Sequence, residues 1–203
     1  MRRDSIIIGT AVAAILLAAG CSSTGGTPTP TTDNSGGATT ALPSTSLNGA
    51  PHVADPLDVS KFRDNPCTAL TPTQVQQLNI GATAKADNTG GPSCDWGSAT
   101  DSAKVGVTVS FLSGGGGLSY IYANKADYAV FTGLSSIDGY PAIRADQVDQ
   151  TSIGECTVVV GASDDQAVSF ALSAGLSQDK SDPCTATQQL AQDVITNIKS
   201  GGS

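Results

Sequence analysis

The chain has 203 residues, with 18 acidic side chains against 10 basic ones, a net charge of −8 and only 4% aromatic residues. So acidic a chain has no basic footprint for nucleic acid and is repelled by anionic lipid headgroups. Its five cysteines make an odd number, which in an exported protein needs an explanation.

The first element in chain order is an address. Arg2 and Arg3 precede an almost wholly apolar run, Ser5 to Ala19, which matches the charged and hydrophobic regions of a secretory signal. That run is shorter than the roughly twenty residues a helix needs to span a bilayer. Ala18, Ala19 and Gly20 lead into Cys21, and the set resembles a bacterial lipobox in which Ala18 replaces the usual leucine and Leu17 comes one place earlier. The resemblance implies a diacylglycerol on the Cys21 thiol, cleavage just before it, and acylation of the new amino terminus. At roughly 0.8 kcal/mol per buried methylene, two acyl chains hold a protein on a membrane where one does not. Residues 1–20 form the lipoprotein signal peptide in this reading. They leave with two arginines and one aspartate, so the net charge becomes −9. Attachment to the extracytoplasmic face of the cell membrane is expected to come from this lipid.

From Ser22 to Ser60, 24 of 39 residues are Ser, Thr, Gly or Pro and none is aromatic. Such a segment cannot bury enough apolar surface to offset its ordering entropy. Residues 21–60 are therefore expected to form a lipid-bearing, disordered tether with a reach of roughly 35 Å. Residues 61–199 suit one domain by length, and residues 200–203 are a tail.

Within the domain, Thr71 followed by Pro72 marks a helix start, with Val75, Leu78 and Ile80 on its apolar side and Gly81 as its stop. The segment from Lys104 to Leu112 alternates Val105, Val107, Val109 and Phe111 against small or polar residues, the pattern of a half-buried strand. Residues Ala129 to Leu134 and Tyr140 to Ala145 flank Ile137-Asp138-Gly139, where Asp-Gly signals a hairpin. Cys156 to Gly161 and Ala167 to Leu172 form a second hairpin around Asp164 and Asp165. After Pro183, Ala186, Leu190, Val194 and Ile198 recur every four residues beside Ala191 and Ile195, an amphipathic closing helix. The expected fold is a single α+β domain: an antiparallel meander sheet with an N-terminal and a C-terminal helix packed on one face.

Four cysteines remain in the domain, and in an oxidising compartment they are most simply two disulfides. Three pairings are possible. Cys67 to Cys94 and Cys156 to Cys184 is preferred, because each closes a loop of similar size and ties a helix start to a strand. Structural zinc sites bring cysteines in closely spaced pairs, unlike these, so no metal or other cofactor is expected.

The stretches Asn65–Val75, Ser93–Trp96, Ile137–Ala145, Glu155–Gly161 and Cys184–Ile195 carry a family likeness. In order they offer a Pro-Cys opening with a Leu-Thr helix start, a Cys-x-Trp, a Gly-x-Pro-Ala, a Cys before a valine-rich strand, and a cysteine leading the last helix. This order resembles the actinobacterial lipoproteins catalogued as domain of unknown function 3558, over about residues 64–198. The resemblance implies a cell-surface lipoprotein and no more specific role, with Trp96 as core packing.

Catalytic chemistry finds little footing. The only histidine, His52, falls in the expected tether, where an imidazole cannot be held in a dry, oriented site, so a Ser-His-Asp or Cys-His enzyme is not expected. Ser177 to Lys180 matches a bare S-x-x-K without its companion motifs. Gly114, Gly115, Gly116 and Gly117 fit neither G-x-G-x-x-G nor a phosphate loop. They read as a flexible connection or as a lip where a ligand approaches the backbone, with Tyr120, Tyr122 and Tyr128 nearby. Asp146, Asp149 and Glu155 lack calcium-loop spacing and read as solvated loops. The expectation is a non-enzymatic surface domain, anchored to the membrane through Cys21, that binds a small molecule, a cell-wall component or a protein, with Gly114 to Gly117 and Tyr120 as its candidate ligand site. A hydrolase or transferase using carboxylates such as Asp95 or Asp146, and an accessory subunit of a transporter or sensor kinase, are the alternatives.

Overall fold

Thr71 begins the structured logic of the domain as its sequence suggests: its hydroxyl accepts the Gln74 N–H at 3.3 Å while the Gln74 side chain accepts the Thr71 N–H at 2.9 Å, a reciprocal cap with Pro72 in the first turn. In this computed structural model residues 47–82, 84–97, 105–112, 115–174 and 182–201 are described. The expected signal peptide, Cys21, the first part of the tether, Gly114 and Ser177 to Lys180 lie outside the described residues.

Among the described residues there are four α-helices: α1 (Ser60–Asp64), α2 (Pro72–Gln77), α3 (Gly117–Ala123) and α4 (Pro183–Lys199). Seven strands form one antiparallel sheet: β1 (Ala84–Asp87), β2 (Ser93–Trp96), β3 (Gly106–Leu112), β4 (Val130–Gly133), β5 (Ala142–Asp146), β6 (Glu155–Gly161) and β7 (Ala167–Ser173). Their order is β1-β2-β3-β7-β6-β5-β4. Two meanders, β1 to β3 and β4 to β7, thus lie side by side where β3 pairs with β7. The connection from β3 to β4 crosses to the far edge and carries α3 with it.

Alternation along the strands decides which face is covered. Val107, Val109 and Phe111 of β3 stand opposite Leu172, Phe170 and Val168 of β7, and Val158 of β6 stands opposite Phe170, all buried on one face. The apolar stripe of α4, with Leu190, Val194, Ile195 and Ile198, lies in the same core, joined by Phe62 of α1 and Val75 of α2. Asn197 fastens α4 to α2 by donating to the Ala69 carbonyl and the Gln74 side chain, both at 2.8 Å. Trp96 is 3% exposed and belongs to this core. Asp182 caps α4 by accepting the Thr185 N–H at 3.0 Å, and the hydrogen bonds from Thr185 hold its carboxyl below the usual aspartate range.

Both disulfides take the preferred pairing. Cys67–Cys94 ties a short 3-10 turn, Pro66–Thr68, to β2, and Cys156–Cys184 ties β6 to the first turn of α4. The Asp-Gly hairpin turn between β4 and β5 has positive φ at both Asp138 (52°) and Gly139 (93°), the left-handed pair that matches strand twist.

Two local expectations give way. The tether does not extend to Ser60: Ala50, Val53, Leu57 and Val59 are buried, the Leu57 N–H donates to the Ala162 carbonyl at 2.8 Å, and the Val53 N–H donates to Asp164 at 3.0 Å. His52 is held with them, its Nδ1 2.8 Å from the Asp164 carboxylate. The physical reason is compositional, since 20 of the 24 Ser, Thr, Gly and Pro residues fall in 22–46 and only 4 in 47–60. The glycine-rich stretch, in turn, leads into a helix, α3, rather than a plain connection.

Candidate functional site

The described residues cover the second face of the sheet only in part. Leu118 and Ile121 of α3 pack on Ile143, Ala145 and Val159, over β5 and β6. Over β3 and β7 the same face carries Gly106 opposite Ser173, Thr108 opposite Ala171, and Ser110 opposite Ser169. All six residues are small, and five of them, Gly106, Thr108, Ser169, Ala171 and Ser173, line a sheet floor recessed beside α3. A groove of about 1100 Å³ results.

The register aligns its floor into a transverse row. Lys85 of β1 stands opposite Asp95, Asp95 opposite Thr108, Thr108 opposite Ala171, and Ala171 opposite Thr157 of β6. Four strand spacings make this row roughly 19 Å long. The Thr108 hydroxyl donates to Asp95 Oδ1 at 2.5 Å, and the Ser173 hydroxyl lies 3.4 Å from Glu155 Oε1. Gly115, Gly117 and Tyr120 line the groove from the α3 side together with Tyr128, and Gln147 and Val148 line it from the loop after β5.

The expected site residues therefore divide. Gly115 and Tyr120, the latter 56% exposed, both line the groove, while Gly116 caps α3 in the left-handed region. Gly117, at φ 55°, would place a Cβ 2.8 Å from the Gln166 backbone nitrogen, so its bareness lets α3 abut the β6–β7 turn. Tyr122 stacks edge-on against Phe131 at 5.0 Å between centroids, and burial raises its hydroxyl pKa. Tyr128 is also raised, first by burial and then by the neighbouring Tyr120 and Asp127 charges. Gly117→Ala is expected to cost about 2 to 4 kcal/mol through clash and backbone strain. Gly133→Ala, with nothing within 4 Å of the added carbon, is expected to change stability by under about 0.5 kcal/mol. Equal urea midpoints for the two variants would contradict this packing of α3.

The carboxylates are also sorted by the fold. Asp146 is not solvated: it is 7% exposed, with Oδ2 taking the Arg144 Nε–H at 2.6 Å and Oδ1 the Thr157 N–H at 2.7 Å. Asp149 accepts the Thr151 hydroxyl and N–H and pairs with Arg144 at 2.9 Å; the Thr151 bonds first, then Arg144, hold its carboxyl below the usual range. Asp95 and Glu155 share the groove, yet β3 and β7 lie between their strands, which puts them roughly 14 Å apart across the sheet. Paired carboxylates of glycosidase type stand about 5 to 10 Å apart. His52 and Asp164 are a surface pair outside the groove lining. Among the described residues, no cluster of three or more His, Cys, Asp or Glu side chains is placed to hold a metal ion, and no helix is long and apolar enough to cross a membrane.

The floor residues Thr108, Ser169, Ala171 and Glu155 had no motif to announce them. Their signal was the small, polar side of the strand alternation, which says that one face differs but not that it stays open. No curated protein and no solved structure matches the chain. The profile of the family described as protein of unknown function DUF3558 matches residues 16–197, a span that takes in all seven strands and both disulfides, and the chain belongs to that family.

Proposed function

We propose that the protein is a lipid-anchored surface lipoprotein of the actinobacterial kind, whose domain binds a ligand in the groove on the second sheet face and does not transform it. The groove carries this reading: a recess of about 1100 Å³ over two central strands, floored by the small residues Gly106, Thr108, Ser169, Ala171 and Ser173, is where a soluble partner gains access to the sheet. The separation of Asp95 from Glu155, and the engagement of both Asp146 oxygens, support binding over hydrolysis.

Support for the anchor comes from the sequence ahead of the domain. The family match begins at residue 16, so it takes in Ala18-Ala19-Gly20-Cys21. Two disulfides suit an extracytoplasmic compartment. The proposed tether is shorter than residues 21–60, since Ala50, Val53, Leu57 and Val59 are buried and Asn48 donates to the Ser119 carbonyl of α3 at 3.1 Å.

Native mass spectrometry of the protein purified from its own membrane tests the groove. The wild type is expected to carry an additional mass that an Ala171→Phe variant of unchanged unfolding midpoint lacks. Identical masses bound to both proteins would remove the groove from the account.

A further inference from the structure

Resting on that binding reading, we propose that the groove takes a neutral, extended oligosaccharide lying across the strands, its hydroxyls read by the floor and its C–H faces set against Tyr120.

The floor decides what kind of ligand can be recognised. β3 and β7 have a strand on either side, with four register pairs between β2 and β3, seven between β3 and β7 and seven more between β6 and β7. Main-chain recognition of an added peptide strand needs a free sheet edge, and this groove lies over central strands. What the floor presents instead is side-chain hydroxyls, at Thr108, Ser169, Ser173 and Thr157, with the carboxylates of Asp95 and Glu155 among them. Hydroxyls both donate and accept, and carboxylates accept, which suits a polyhydroxylated partner.

Charge and polarity exclude the other extended ligands. Among the described residues that line the groove, Lys85 is the one cation against Asp95, Asp146 and Glu155, so phosphorylated or uronate-bearing chains meet net repulsion there. An acyl chain would strip water from these carboxylates and hydroxyls without replacing it, at roughly 1 to 3 kcal/mol for each neutral group and more for each charge. A sugar chain replaces that water. Its less polar ring faces need an apolar wall, and Tyr120 supplies one: the residue is 56% exposed and lines the groove beside Gly115, where an added Cβ would meet its ring at 3.7 Å. A floor row of roughly 19 Å accommodates several linked rings rather than one.

The test uses the full-length protein in a polyoxyethylene detergent, which carries no sugar. Neutral gluco-, manno- and N-acetylated chito-oligosaccharides are titrated by calorimetry and by the fluorescence of Trp96, the only tryptophan, which borders the groove. Saturable binding of one of these series is expected, weakened at least about tenfold by Tyr120→Ala and by Thr108→Val. Gln188→Ala, on α4 outside the groove lining, is expected to leave it unchanged. Binding of phosphorylated sugars or of a fatty acid in place of the neutral series overturns the ligand class, as does an absence of sugar binding. Sugar binding that ignores both groove variants overturns the location. If a non-sugar mass co-purifies and is lost in Ala171→Phe, the groove remains a binding site and only the sugar assignment fails; if no mass differs between the two, the binding reading fails with it.

Discussion

Replacing Cys156 and Cys184 together by alanine is expected to lower the unfolding free energy by about 3 to 4 kcal/mol, which for a domain of this size is roughly 10 °C in Tm. The residues are 28 apart in sequence, and the chain-entropy cost of closing a loop that long gives this magnitude. The consequence is structural as well as entropic. Cys184 sits in the first turn of α4, the helix that packs on β6 and β7 with Leu190, Val194, Ile195 and Ile198 in the core, so the bond clamps the helix onto β6 where Cys156 is 1% exposed. The Cys67–Cys94 loop, 27 residues, lies in a separate stretch of chain and is expected to contribute a similar amount. Their sum, about 7 kcal/mol, is comparable with the whole stability of an ordinary domain. Urea titration of the alanine pairs, and of the wild type with and without reductant, checks this. A reduced wild type with the midpoint of the oxidised protein would contradict it.

Those bonds were legible because, of three possible pairings, this one closes two loops of similar size, 27 and 28 residues, each tying a helix start to a strand. The closing helix was equally plain: seventeen residues carry one apolar stripe long enough for its period to show. The hairpins at Asp138-Gly139 and around Asp164 announced themselves through turn chemistry. Other elements had no local signal. β1, with the sequence Ala-Lys-Ala-Asp, contains no β-branched or aromatic residue and is a strand because β2 offers it a ladder. α3 has seven residues and opens on glycines in the left-handed region, so its Leu118 and Ile121 contacts are too few to reveal a period. Val53, Leu57 and Val59 were hidden in an average taken over a far more polar segment. The groove escaped for a different reason. Small residues on one side of a strand are visible in sequence, but whether a helix covers them depends on where α3 crosses, which is a property of the assembled sheet.

The anchor is the part of the account written most plainly in sequence, and Cys21→Ser has the largest expected functional effect. With its thiol free to accept diacylglycerol, the wild type is expected almost wholly in the membrane fraction, because two acyl chains at roughly 0.8 kcal/mol per methylene leave little in solution. The serine variant cannot form the thioether, so it is expected either to leave the membrane fraction or to remain uncleaved with residues 1–20 attached. Cell fractionation combined with the intact mass of the mature protein measures this directly. The account predicts a wild-type chain that begins at Cys21 and carries the mass of its lipid, and a variant that is released or unprocessed. A Cys21→Ser protein that is cleaved normally and still sediments with the membrane would contradict it.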